Sequence, residues 1–278
     1  VKKITSHISK KVADKLSDLF KQSRTDFQDK WSYIDLFVKY GMLSDEKFAE
    51  KVKDVCLLQN TKNEYFTIPE YVEKIKINQT DKDGNMVLLY THHSEEQHAY
   101  ISNALSRNYD VVKFEGPLDN HFTGYLEQKN EKLQCKRVDA DALDKLIATE
   151  SSNIALLNEE ESKKLVSVFE KVNQNNEIKF KTEALSPEES LLIVTEGEYD
   201  RRMREMSKMN GYNMFGSMPM SYQTILNTNH PKAKDLIGMD DEAAGKMASK
   251  ALNLALLSKG LLKGELLTKY VQTEMNNL

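Results

Sequence analysis

Residues 86–139, MVLLYTHHSEEQHAYISNALSRNYDVVKFEGPLDNHFTGYLEQKNEKLQCKRVD, decide how the chain folds. Short apolar runs at MVLLY (86–90), DVVKF (110–114) and LQCKRVD (133–139) read as strands. The stretches between them predict a helix from Ser94 to about Arg107 and another from about Leu118 to Lys129. Strand alternating with helix at this spacing implies a small parallel sheet with right-handed crossovers and helices packed on it.

A parallel unit of this kind invites a nucleotide hypothesis, which requires glycines in the first strand-to-helix turn and a helix N-terminus open to phosphate. The turn is THHSEEQ, without glycine, and Glu95 and Glu96 are expected in the first turn of the helix, where they would repel an anion. The unit therefore reads as a scaffold. His92, His93 and His98 lack the cysteines or helical His-x-x-x-His pair that would complete a metal site, and are expected as solvated loop histidines. Ser94, Asp119 and His121 can be drawn as a hydrolase triad, but no Gly-x-Ser-x-Gly elbow frames the serine. A small-molecule enzyme would use THHSEEQ and EGPLDN as the walls of a cleft at the sheet's carboxyl edge, and that is the alternative reading.

Upstream, Ile4, Ile8, Val12, Leu16 and Leu19/Phe20 recur at helical spacing and predict one amphipathic helix. Residues 24–75 read as several short helices: WSYIDLFVKYGM supplies aromatics, Ser44 caps SDEKFAEKVKDVCLL, and Thr67 caps a helix opening before Pro69. TDKDGN then forms a turn. Downstream, polar residues 139–160 suit a boundary. They precede a helix at 158–173, a strand pair in EIKFKTEAL and SLLIVTE, a strand in SYQTILNTN, and helices at 241–259 and 264–277. The fold class expected is α/β plus α+β. A helical segment (1–75) and a small parallel-sheet αβα unit (76–149) precede an α+β dimerisation domain (150–278) that ends in a helix pair.

Two segments of the second half look like surfaces. RRMREMSKMNGYNMFGSMPM (201–220) is rich in methionine, a flexible and polarisable side chain that adapts to irregular partners. Tyr199, Met203, Met206 and Met209 share one helical face, whereas Gly211, Gly216 and Pro219 break the run carrying Tyr212, Met214, Phe215, Met218 and Met220. Spacing alone suits a core stripe, but the glycine- and proline-broken continuation reads as a flexible apolar loop expected to bind other chains, and Arg201, Arg202 and Arg204 suit acidic flanks. In the last two helices, Met247, Ala251, Leu254 and Ala255, then Leu266, Leu267, Tyr270, Val271 and Met275, form two apolar stripes joined by SKGLLKG. Such a hairpin packs either on its own domain or against a second copy in a four-helix interface, and its terminal place with continuous apolar faces favours the second copy.

Composition narrows the remaining classes. The chain has 278 residues, 40% of them hydrophobic and 29% charged, with a formal net charge of -4. This balance lacks the basic footprint of nucleic-acid binding, and no apolar run is long enough to span a bilayer. Cys56 and Cys135 stand in no metal-ligand spacing, which fits a reducing, cytoplasmic setting. The helical pattern is already established next to Val1, so the start reads as a boundary inside a longer protein.

An ordered set of segments carries a resemblance: VKKITSHISKKVADKL, WSYIDLFVKYGMLSDEKF, YFTIPEYVEKI, GPLDNHFTGYLEQKN, EYDRRMREMSKM, ILNTNHPKAKDLI and LALLSKGLLKGE. From end to end the chain resembles the heat-shock protein 90 chaperone family, especially its bacterial HtpG type. The match is to the rear of the middle domain followed by the carboxy-terminal dimerisation domain. The resemblance implies an ATP-driven homodimeric chaperone whose ATP, Mg and catalytic-loop arginine belong to segments upstream of this one. No cofactor and no ATPase activity are then expected here. It further implies non-native client proteins and chaperones of the DnaK type as partners, with client contact at 198–220 and dimerisation at 241–278. TEMNNL at the end lacks the acidic tail of eukaryotic cytosolic members, so tail-docking tetratricopeptide partners are not expected.

Overall fold

The computed structural model describes residues 2–148, 154–175, 178–196 and 222–277, with side chains from residue 7 onward. The chain divides into two compact units, Val1–Val138 and Asp139–Leu278. The division falls at the start of the polar stretch 139–160, and Asp144 and Lys145 join the second unit: Asp144 accepts the Ser186 backbone N–H at 2.7 Å and Lys145 pairs with Glu183 at 2.6 Å.

The first unit opens with α1 (Lys2–Gln22) and α2 (Arg24–Ser44). Only part of the stripe expected on α1 packs inward: Ala13 is buried, Leu16 and Phe20 lean on the core, and Ile8, Val12 and Leu19 stay exposed. Where several short helices were expected, α2 runs unbroken to Ser44. Its first turn is capped by Ser23, whose hydroxyl accepts from the Asp26 N–H. Ser44 does not cap the next helix, since its hydroxyl donates back to the Tyr40 carbonyl at 2.7 Å. Asp45 takes that role for α3 (Glu46–Val52), accepting from the Lys47 and Phe48 N–H groups.

A two-stranded antiparallel hairpin, β1 (Leu57–Gln59) and β2 (Tyr65–Thr67), then interrupts the segment read as wholly helical. Asn60 builds its loop: the side-chain oxygen accepts from the Lys62 and Glu64 N–H groups, and Asn63 takes the left-handed conformation that asparagine tolerates. Thr67 and Glu70 form a capping box at the start of α4 (Ile68–Ile75), as the Thr-Ile-Pro-Glu pattern predicts.

Gly84, at positive φ, closes the TDKDGN turn, in which Asp81 accepts from the Asp83 and Asn85 N–H groups. The remaining elements of this unit are β3 (Met86–Thr91), α5 (His98–Ser106), β4 (Val111–Lys113), α6 (Asp119–Lys129) and β5 (Leu133–Arg137). The three strands are parallel in the order β4-β3-β5, with Leu89 opposite Val111 and Leu88 opposite Cys135. The central strand is buried at Val87 to Thr91, as a parallel strand covered on both faces must be, which explains its unbroken apolar run. Leu88 and Tyr90 share one core with Trp31, Phe48, Tyr71, Phe114 and Phe122.

In the second unit, α7 (Leu143–Leu146) is followed by α8 (Glu159–Val172), which opens with an Asn158/Glu161 capping box. The strands β6 (Ile178–Glu183) and β7 (Leu192–Glu196) are not partners of each other. The later strand β8 (Tyr222–Asn227) lies between them, parallel to β6 and antiparallel to β7. Pro231 opens α9 (Pro231–Gly238), a short helix the sequence reading omitted. Then come α10 (Asp241–Ser258) and α11 (Gly264–Asn276). Leu165 and Phe169 from α8, Leu226 from β8, Leu236 from α9, and Ala248 and Leu252 from α10 form the second core.

Candidate functional site

The carboxyl edge of the parallel sheet brings THHSEEQ and EGPLDN together, but their polar groups satisfy one another. Gln97 folds back so that its side-chain oxygen accepts from the Thr91 hydroxyl at 2.6 Å and from the His92 and His93 N–H groups. This closure delays the helix to His98, so Glu95 and Glu96 precede α5 instead of forming its first turn. His92 is not a solvated loop histidine, because its ring bridges the Phe114 carbonyl and the Asn120 side-chain oxygen. Ser94 donates to Glu115 at 2.5 Å. Asp119 is buried against Lys39 of α2 at 2.6 Å, and its other oxygen accepts the Gly116 N–H at 2.8 Å. Ser94 and Asp119 thus have separate partners, His121 is exposed, and no hydrolase triad forms.

Burial opposes the charge on Lys39, yet Asp119, and more weakly Asp35, hold its pKa above the ordinary amine value. This buried pair, between residues 80 positions apart, fixes α2 to the first turn of α6 and is invisible to local pattern reading. Among the described residues no group of three or more His, Cys, Asp or Glu side chains is arranged to hold a metal ion. No helix among them is long and apolar enough to cross a membrane.

The expected client-contact residues Tyr199, Met203, Met206, Met209, Tyr212, Met214, Phe215, Met218 and Met220 lie outside the described residues. The terminal helices are described, and they have two characters. Ala244, Ala248, Leu252 and Leu256 of α10 form the face buried in the second core. The stripe read from the sequence lies beside it: Met247, Ala251 and Ala255 are half-buried at the core's margin, and Leu254 is 48% exposed. No residue of α11 is buried. Leu267 and Tyr270 lean on the core, whereas Leu266, Val271 (48%) and Met275 (65%) face outward.

Between α8, α10 and α11 runs a cleft of about 710 Å³, with Leu252, Leu256 and Leu266 among its apolar lining and Lys246, Lys250 and Lys269 among its polar groups. Each lysine pairs with a carboxylate, namely Glu242, Glu274 and Glu265, so the cleft offers no free cationic pocket. Chemically this region can bury apolar surface against another helix.

Comparison with known proteins places the chain in a family. Over 248 residues, 88% of this chain, it is 38% identical to the chaperone protein HtpG of Bacteroides thetaiotaomicron. The chain belongs to the bacterial HtpG family. The HtpG of Porphyromonas gingivalis is likewise 38% identical, over 87% of the chain. A more distant HtpG, from Bdellovibrio bacteriovorus, is 23% identical over 94% of it. The chain spans 36% of the length of the first two relatives. No protein-family model matches it. In α2 the segment WSYIDLFVKYGM divides between two faces. Trp31, Val38 and Met42 are buried, whereas Tyr33, Leu36, Phe37 and Tyr40 are exposed. Tyr33, Phe37 and Tyr40 are spaced i, i+4, i+7, a second helical face legible once the first is assigned.

Proposed function

We propose that this chain is the part of an HtpG-type chaperone that self-associates through α10 and α11 and holds non-native protein chains. The observation that carries the reading is α11, an amphipathic helix without one buried residue, beside an α10 whose Leu254 is also uncovered. Two helices with apolar faces turned outward satisfy them most directly against the same pair from a second copy. The relatives are chaperone proteins in each case, which supports the wider role.

On this reading residues 1–149 are the rear of a middle domain and 150–278 a carboxy-terminal domain. Client contact is assigned to the Met-rich 198–220, on composition. On the same reading ATP and Mg act in other parts of an HtpG-type chaperone, so the segment alone is expected to hold clients without hydrolysing nucleotide. Chaperones of the DnaK type and a cytoplasmic setting follow from the same reading.

The test is sedimentation equilibrium combined with light scattering of a reduced, aggregating protein. The intact chain is expected at about twice its 31.9 kDa mass and is expected to slow the aggregation. Leu254→Ser with Val271→Ser should give a monomer with an unchanged circular dichroism spectrum, since both side chains are about half exposed. A wild-type monomer at concentrations well above those used for assembly, with no effect on aggregation, overturns the proposal.

A further inference from the structure

The largest uncovered aromatic surface among the described residues is the outer face of α2. Tyr33 is 79% exposed, Phe37 72% and Tyr40 62%, with Leu36 beside them. At about 3.6 residues per turn these four lie on one stripe, opposite the Phe27, Trp31, Val38 and Met42 face that packs inward. Together they offer on the order of several hundred Å² of mostly apolar surface, the scale at which an exposed patch on one molecule becomes a contact site.

The charges on this stripe are of one sign. Asp26 and Asp29 fall within it, toward the start of α2, and both are exposed; Lys30 lies only at its border. On the side away from Lys30, Ser32 and Asp35 lead into a cleft of about 200 Å³ that Trp31, Tyr65 and Glu115 also line. Burial, then Asp29 and Asp35, push the Tyr65 phenol above its ordinary pKa, so these carboxylates bear on the mouth of the cleft. The cleft's cations are engaged: Lys39 with Asp119 and Asp35, and Lys113 with the Asn63 side-chain oxygen at 2.6 Å. Aromatic faces add to the attraction for a cation.

We infer that the outer face of α2 is a second contact surface for non-native chains, and that it takes segments in which apolar side chains neighbour Lys or Arg. The inference rests on the chaperone reading and adds to it a location and a sequence preference. Apolar side chains of the segment lie across Tyr33, Phe37 and Tyr40, and its basic group meets Asp26 and Asp29.

The test uses the 278-residue chain and a short fluorescent peptide of Leu, Phe and Arg, with a twin carrying Glu at each Arg position. Anisotropy titrations are expected to show the Arg peptide binding more tightly than its twin. Phe37→Ser with Tyr40→Ser, both on the surface, should weaken the Arg peptide roughly tenfold. Asp29→Lys should reduce the preference for Arg over Glu severalfold. Unchanged affinity in the double variant, while wild type binds and still slows aggregation, overturns this inference and leaves the chaperone reading standing. A wild-type chain that binds neither peptide and does not slow aggregation removes both. Loss of dimer mass in the double variant overturns the inference by assigning the face to a second copy.

Discussion

The two units treat their last layer of helix differently. In the first, α2 and α6 are locked to each other by a buried charge pair, Lys39 and Asp119, beside two aromatic rings: Lys39 lies 5.7 Å from the ring centres of both Phe114 and Phe122. In the second, α10 contributes a full face to the core, but the following α11 leans on it without burying a residue. The first unit is closed by specific internal contacts, whereas the second ends in a helix whose apolar side is unfinished. A helix so placed gains most of its stability from whatever covers it.

Truncation tests this contrast most severely. A chain ending at residue 240 loses Ala244, Ala248, Leu252 and Leu256 from the second core and should lose the cooperative unfolding transition of that unit altogether. A chain ending at 263 keeps all four, together with Leu262, and should retain both transitions while its sedimentation mass falls to that of a monomer. If the two truncations behave alike, α10 and α11 are not different in kind. The next effect belongs to the first unit. Lys39→Ala leaves Asp119 buried without its cation and should cost about 3–5 kcal/mol in denaturant unfolding. Lys39→Met combined with Asp119→Asn should recover more than half of that loss, because the amide oxygen still accepts the Gly116 N–H.

The smallest effect sharpens the picture of the first unit's periphery. Arg24 holds Glu70 through two bonds of 2.6 Å, and this contact, opposed by burial, brings the Glu70 carboxyl down to about 2 from an ordinary 4.5. A folded-state value below the unfolded one stabilises the protein above pH 4.5, and that contribution is lost as the pH falls from 4.5 toward 2. Both side chains are about 40% exposed, so solvent screening limits the loss to below about 1 kcal/mol. Arg24→Ala should flatten the acid limb of the stability profile by that amount and leave the neutral limb's shape unchanged.

What the sequence makes legible follows the range of the interactions. The parallel sheet is readable because apolar strands alternate with helices of sufficient length, and the Thr67 capping box because its signal spans four residues. The β1–β2 hairpin is not, since two three-residue strands carry almost no periodicity. The α10 stripe is readable as apolar, but its neighbour at 244, 248, 252 and 256 is apolar too, and helical spacing alone does not say which of two adjacent faces turns inward. In α2 the same ambiguity hid the aromatic face. The Lys39–Asp119 pair needs the tertiary fold to be seen at all.

Cys56 and Cys135, the chain's only two cysteines, are both buried in the first core. Burial pushes the Cys56 thiol up to about 12, so at neutral pH it is protonated and unreactive while the core stays shut. Thiol-reactive dyes therefore have one place to act and one event to wait for. Their labelling rate becomes a stopwatch for opening of the first unit, and it keeps time even while the second unit unfolds.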